Sequence, residues 1–500
     1  MAPKTIDHLP DEVLVEVFAY FNEETLEECV GTSKRWNELI HTSRKTRNKL
    51  TIWIEPEYFK GKRDCLESSK TANRLSWLTL MNNIDIKGPQ LLQFLGRNSQ
   101  FVRRLTVDIA KGDLYQMLTC LPHLEYLEIC TVCDLTISKP ISFENLRVLK
   151  VSPTKVDLLR NIKSTSKITE FSIEDLKLDG SFEKVATFLM RCPALQKLKI
   201  WIDADTRQGS EMFEDNGLTP NVPFRLKSLN IRGFHSLRTE ANFSKFMELH
   251  EETLEHLDIQ EQKFLMSPEL SRQILSRFPK LKSLKVHACC FYIEKSFLLC
   301  MEPLRNVTDL TVKREFRKHE LDKVFFALFP SLEKLSVDYK SEYFPKFVKS
   351  FAKFHPKLQY LNYSAIRPGT PATVEFRNLI SITVHDIKCK DALMNFLMSH
   401  RHLIEVKVNK ADTLTNEDVE RILELPALRS VQFGGSKTEV KRIFDFIKAD
   451  YKRLQSATFL YLAVPSLGWS MVKEILFPLE KEFWNPDKYE GFFASPMKDD

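Results

Sequence analysis

PHLEYLEI (residues 122–129), PALQKLKI (193–200), PKLKSLKV (279–286) and PSLEKLSV (330–337) are four copies of one pattern. Each reads h-x-x-h-x-h, where h is Leu, Ile, Val or an aromatic residue. The first h falls at Leu75, Val102, Leu124, Leu146, Ile168, Leu195, Leu226, Leu254, Leu281, Val307, Leu332, Leu358, Leu379, Leu403, Leu428 and Leu454. These sixteen candidate units recur every 21 to 31 residues, with a mean of about 25, and a period of this size marks stacked structural repeats. The weakest copy is the last, LQSATF, whose middle anchor is Ala457.

Between these alternating stretches lie segments of helical period: SFEKVATFLMRCP before Leu195, ELDKVFFALFP before Leu332 and TNEDVERILELP before Leu428. In the first, Phe182, Val185, Phe188 and Leu189 share one face, as an amphipathic helix behind a strand requires. A proline then stops each helix, because it has no N–H to continue the ladder. One strand plus one helix cannot bury its own apolar face, so consecutive units must stack, strand beside parallel strand. The expected fold is α/β: a curved solenoid with parallel inner strands and outer helices over residues 74–465, preceded by a linker at 51–73. Residues 466–500, with GWSMVKEILFPLEKEFW, read as a terminal cap and polar tail.

This part of the chain resembles the leucine-rich repeat family over about four fifths of its length, which implies a protein-binding solenoid. It departs from that family at the eighth position after the first Leu. Val132, Thr154, Asp203, Phe234 and Lys340 stand where Asn or Cys is usual, and Cys289 is a lone match.

Ahead of the repeats stands LPDEVLVEVFAYFNEETLEECVGTSKRWNELI, residues 9–40. Pro10 suits the first position of a helix, and Asp11 and Glu12 suit the positive end of its dipole. Val13, Leu14, Val17, Phe18 and Phe21 then form one wide apolar face. A second short helix turns Leu26, Cys29 and Val30 inward, and a third segment carries Trp36, Leu39 and Ile40. Residues 1–50 thus form a short three-helix module at the limit of independent stability. The segment resembles the F-box through Leu9-Pro10, Glu12, Leu14, Val17-Phe18, Leu26 and Lys34-Arg35-Trp36. Thr32 and Ser33 replace the common Val-Cys, and Phe21 replaces Leu.

The resemblance implies a substrate receptor of an SCF-type cullin-RING ubiquitin ligase. Leu9, Pro10, Glu12, Leu14, Val17, Phe18, Leu26, Lys34 and Trp36 would bind a Skp-type adaptor and, through it, the ligase, while the repeats would bind the target protein. The alternative is a repeat scaffold without a ubiquitin role, its N-terminus serving only as a helical cap. The basic run Arg44, Lys45, Arg47 and Lys49 reads as a solvated linker.

Composition narrows the remaining classes. Lys plus Arg at 73 against Asp plus Glu at 67 gives +6 over 500 residues, too mild to imply nucleic acid as a partner. Fourteen glycines are under 3% of the chain, which leaves little room for phosphate-binding loops. Ten scattered cysteines show no disulfide framework and read as small core residues in a reducing, cytoplasmic or nuclear compartment. The Asn-x-Ser/Thr matches at Asn242, Asn306 and Asn362 are then chance. No apolar run of membrane-spanning length occurs, so no membrane association is expected.

Signatures of chemistry are also missing. Cys130 and Cys133 lack a second pair at zinc spacing, and residue 254 after His250-Glu251 is Leu rather than a second metal-binding His. His400 and His402 read as a turn, and GGSK at 434–437 lacks the leading Gly of a phosphate loop. The sequence therefore points to no catalytic residue, no metal site and no cofactor.

The period of two predicts the target-facing residues: those two, four and six places after each first h lie opposite the buried anchors. They include Lys197, Lys199 and Trp201, then Asn230 and Arg232, His256 and Asp258, Lys285 and His287, and Lys313. The plainer reading of this face is a solvated strand surface; the sharper one is that this basic cluster with one large aromatic holds an acidic or phosphorylated segment of a target.

Overall fold

The structure is a computed structural model that describes residues 9–21, 26, 29, 33–43, 46, 51–54, 77–81, 89–108, 111–130, 134–176, 181–202, 221–232, 240–260, 266–287, 298–313, 320–338, 351–366, 376–411, 413–434 and 456–460. Several expectations lie outside the described residues: the cap and tail at 466–500, the linker beyond residue 54, the anchors Leu75 and Leu454, and the basic residues Arg44, Lys45, Arg47 and Lys49. Cys65, Cys133, Cys289, Cys290, residues 435–437 and most of the eighth-position residues lie outside them too.

The repeat pattern becomes a ladder of parallel strands, divided between two units, Met1–Gln273 and Ile274–Asp500. The first unit contains β1 (Thr51–Ile54), β2 (Trp77–Met81), β3 (Arg104–Asp108), β4 (Lys111–Asp113), β5 (Tyr126–Ile129), β6 (Asp134–Thr136), β7 (Val148–Val151), β8 (Glu170–Leu176), β9 (Lys197–Ile202), β10 (Ser228–Arg232) and β11 (His256–Ile259). The second contains β12 (Ser283–His287), β13 (Asp309–Lys313), β14 (Lys334–Asp338), β15 (Tyr360–Ile366), β16 (Ser381–Ile387), β17 (Glu405–Val408), β18 (Ser430–Gly434) and β19 (Ser456–Leu460).

Register follows the middle anchor. In the first unit Leu78, Leu105, Leu127, Leu149, Phe171, Leu198, Leu229 and Leu257 lie opposite one another in turn. In the second, Leu284, Leu310, Leu335, Leu361, Ile382, Val406, Val431 and Ala457 do the same. From Val102 to Phe433 every anchor is at most 4% exposed. Burying one such side chain contributes roughly 1.5–3 kcal/mol, so aligned anchors outweigh any alternative register, which would turn them to water.

The residue preceding each strand adds a second ladder along the sheet. Glu125 N donates to Arg103 O at 2.7 Å, Arg147 N to Glu125 O, and Lys227 N to Gln196 O, each at 2.8 Å. In the second unit, Gln359 N donates to Glu333 O and Ile380 N to Gln359 O, again at 2.8 Å.

Helices form where the apolar period demands them. Ser181–Leu189 buries Val185, Phe188 and Leu189, and Asn416–Leu423 buries Val419, Ile422 and Leu423. The latter starts in a capping box: Asp418 N donates to Thr415 Oγ1 at 3.3 Å, and Thr415 N donates to Asp418 Oδ2 at 2.9 Å. Burial pushes the Asp418 carboxyl up, but the bonds from Thr415 and Lys390 outweigh it and hold its pKa low.

Two expectations need correction. The sheet begins inside the expected linker, at β1, where Ile52 pairs in register with Leu78. The sequence pattern misses this strand because its first-anchor position is Lys49. The outer layer is also not uniformly helical. Between β5 and β7 the chain lays down β6, which pairs with β4 in a separate small parallel sheet. Leu135, Ile137, Ile141 and Phe143 are buried there with a period near two, and the short spacing from Leu124 to Leu146 leaves little length for a helix.

Among the described residues, His250, His355 and His400 are buried against aromatic side chains. His250 Nδ1 accepts from Leu226 N at 3.3 Å, and its ring lies 4.6 Å from Phe246. His400 Nε2 accepts from Phe376 N at 2.9 Å; the residue is fully buried where the helix Lys390–Ser399 ends and the turn to the next strand begins. His355 packs on Phe351 at 4.0 Å. Cysteines are mixed: Cys29 and Cys192 are buried, burial pushing the Cys192 thiol up to about 12, whereas Cys130 and Cys300 are exposed and not core. The described cysteines, Cys29, Cys120, Cys130, Cys192, Cys300 and Cys389, are present as thiols rather than disulfides. No described helix is long and apolar enough to cross a membrane.

Burial lowers the pKa of His250 to about 3, with help from the charge of Arg225, and that of His355 to about 4. The unfolded chain protonates these rings below about pH 6.5 while the folded chain does not. Stability should therefore be full above that pH and fall as pH drops toward 4, by up to about 1.4 kcal/mol per pH unit for each histidine. Chemical denaturation at pH 7 and pH 5 measures the loss, and His250→Phe should flatten it. Two glycines give opposite expectations. Gly96 sits in the helix Pro89–Asn98 with nothing within 4 Å of an added Cβ, so Gly96→Ala should stabilise by roughly 0.5–1 kcal/mol. At Gly434 a Cβ would run into the Asn409 carbonyl oxygen, so Gly434→Ala should destabilise, as thermal melting of the two variants can show.

Candidate functional site: the N-terminal helical module and the anchor-free strand face

The helix Asp11–Tyr20 starts at Pro10, whose carbonyl accepts from Val13 N and Leu14 N, both at 3.0 Å. Asp11 and Glu12 occupy its first turn. The helix Lys34–Thr42 starts at Ser33, whose side-chain oxygen accepts from Trp36 N at 3.1 Å. The departure from Cys at this position thus installs an N-cap, typically worth about 1 kcal/mol. Thr46 ties down the exit by donating to Ile40 O at 2.7 Å.

Leu14, Phe18, Leu26, Cys29 and Ile40 form a small core, with Leu9, Phe21, Trp36 and Leu39 packed around it. Phe18 meets Trp36 edge-on at 5.3 Å. Arg35 crosses from the helix Lys34–Thr42 to the start of the helix Asp11–Tyr20. Its Nε and Nη2 donate to Asp11 Oδ1 at 3.0 and 2.6 Å, and Nη2 also donates to Leu9 O at 2.7 Å.

This arrangement sorts the nine residues expected to bind an adaptor. Leu14, Phe18 and Leu26 are fully buried, so they build the module rather than touch a partner. Leu9, Val17 and Trp36 are half-buried, and Pro10, Glu12 and Lys34 are exposed. The wide apolar face of the first helix divides in two. Leu14 and Phe18 turn inward, while Val13 stays 42% and Tyr20 87% exposed. Positions 13, 17 and 20 form a helical stripe of their own, a signal that a reading of one wide face absorbs.

The candidate target-facing residues separate as well. Lys197, Lys199, Trp201 and Arg232 belong to the first unit, and Lys285, His287 and Lys313 to the second. Trp201 Nε1 donates to Asn230 Oδ1 at 3.3 Å, while Lys199 Nζ and the Arg232 guanidinium lie 3.8 and 4.3 Å from its ring. Arg232 pairs with Asp258 at 3.1 Å, and Lys197 with Glu170 at 3.5 Å. The expected basic cluster is therefore a mixed-charge surface around a tryptophan. Beside Trp201 the β8–β9 register shifts between Ile173 and Leu176, an irregularity that the period of two does not foresee. Lys285 and Lys313 are half-buried, and His287 is 6% exposed, too buried to be an open contact.

The Phe18 ring fills the centre of the module, so Phe18→Ala should remove about 3–5 kcal/mol of local stability. Val13→Asp, on the exposed stripe, should stay within about 0.5 kcal/mol. Amide hydrogen exchange of the helix Asp11–Tyr20 distinguishes them.

Residues 6–46 match the family model described as F-box-like. No curated protein matches the chain. Among solved structures, a protein from Bacteroides fragilis is similar at 13% identity over 52% of this chain and 74% of its own, with a TM-score of 0.30. The TLR13–ssRNA13 complex is similar at 13% identity over 78% and 60%, with a TM-score of 0.40. A leucine-rich repeat protein from Leptospira interrogans is similar at 14% identity over 75% and 88%, with a TM-score of 0.27. The chain thus carries an F-box-like match at residues 6–46 and, in each of its two units, a ladder of parallel strands with aligned apolar anchors.

Proposed function

We propose that the protein is the substrate-recognition subunit of an SCF-type ubiquitin ligase. The observation that carries this reading is the F-box-like match over a module that folds around Leu14, Phe18 and Trp36 yet keeps Pro10, Glu12, Val13 and Lys34 at its surface. Those exposed residues contact a Skp-type adaptor, and the repeats hold the target protein on the strand face opposite the anchors. Trp201 is the natural anchor there, since tryptophan and arginine dominate binding energy at interfaces. The chain performs no bond chemistry itself. It converts a bimolecular encounter into a tethered one, raising the effective concentration of target lysines near the charged conjugating enzyme. Function in the cytoplasm or nucleus accompanies this reading.

Co-purification tests it. Leu9→Ala with Pro10→Ala should lower recovery of adaptor and cullin at least tenfold while target recovery stays unchanged. Unchanged adaptor recovery, or no adaptor with the native chain, would favour a repeat scaffold without a ubiquitin role.

A further inference from the structure

The basic pair Lys34-Arg35 divides its labour. Lys34 is exposed, whereas Arg35 folds back across the module and commits three hydrogen bonds to residues 9 and 11. Leu9 and Pro10 precede the helix: Leu9 packs against the small core and the Pro10 carbonyl accepts from Val13 N and Leu14 N, but no side chain caps the helix. Pro10 also brings no N–H with which to fix itself. Among the described contacts, Arg35 is a long-range polar tie that fixes the Leu9 carbonyl and Asp11 relative to the helix Lys34–Thr42.

A guanidinium suits this task because its planar fork can serve a carboxylate and a carbonyl at once. Lysine carries the same charge on one nitrogen without that fork. The pair remains half-exposed, with side-chain exposures of 40% for Arg35 and 58% for Asp11, so it adds little to global stability. Its effect falls on the position of two residues at the contact edge.

We propose that Arg35 is a positioning residue that presents Leu9 and Pro10 to the adaptor in a fixed pose. It acts by preorganisation: without the tie only a fraction of molecules present Leu9-Pro10 correctly, and apparent affinity falls by that fraction. The inference rests on the adaptor-binding reading for its partner, but the tie itself can be tested without one.

The test uses the full chain and a Skp-type adaptor, with affinity measured by titration and local order by amide exchange at residues 11–14. Arg35→Ala should weaken adaptor binding about tenfold and speed exchange at those amides, with the solenoid melting transition unchanged. Arg35→Lys should recover only part of the affinity. In a background of Leu9→Ala with Pro10→Ala, Arg35→Ala should have no further effect, because the residues it positions no longer contribute. Full additivity of the two changes, unchanged affinity in Arg35→Ala, or complete rescue by lysine would overturn the proposal. If the native chain binds no adaptor, the ubiquitin reading fails alone, and exchange at residues 11–14 still decides whether the tie exists: unchanged exchange in Arg35→Ala rejects it.

Discussion

The alignment of one apolar side chain per repeat is the constraint on which both solenoid units depend. Leu105, Leu127 and Leu149 stack in register in the first unit, as Leu284, Leu310 and Leu335 do in the second. Each strand of the ladder offers only four to seven residues, too few to hold a register by backbone bonds alone. Because successive side chains point to opposite faces, a slip of one residue would expose all three anchors of a repeat together. The hydrophobic penalty therefore fixes the ladder, and the backbone bonds before each strand follow from it.

The N-terminal module solves a different problem with the same means. With Leu14, Phe18, Leu26, Cys29 and Ile40 at its centre, it has a very small core and draws on half-buried neighbours such as Trp36. A helix whose apolar surface is wider than its neighbours can cover leaves a remainder, here Val13 and Tyr20. One face of the helix is thus spent on folding, and an adjacent stripe stays at the surface.

Legibility in the sequence follows the strength of the local signal. The strands are readable because the anchors recur with so few gaps, and the capped helix at Asn416 because Thr415 and Asp418 stand at capping-box spacing. β1 escapes the pattern because Lys49 stands at its first anchor position, and β6 because its short alternating run occupies a stretch where a repeat usually places a helix. In the module, helix period identifies apolar residues but does not say which neighbour each will meet, so core positions such as Leu14 and Phe18 pass for contacts. On the strand face, alternation puts Lys197, Lys199 and Arg232 on the side away from the anchors, where the structure also has them. The acidic partners of Lys197 and Arg232, Glu170 and Asp258, come from neighbouring strands far away in sequence, which a reading of one strand at a time does not reveal.

The uneven spacing of the repeats has a consequence for how this chain can change over generations. Distances between first anchors range from 21 to 31 residues, yet the middle anchors stay aligned from strand to strand, as Leu198 with Leu229 and Leu361 with Ile382 show. Length differences are absorbed in the connections, such as the β6 segment or the stretch between β9 and β10, and loop closure grows only slowly more costly with length. Insertions there cost little, whereas an added residue inside an anchor pattern inverts a strand. A chain built this way can gain surface by lengthening its connections while the anchors stay unaltered.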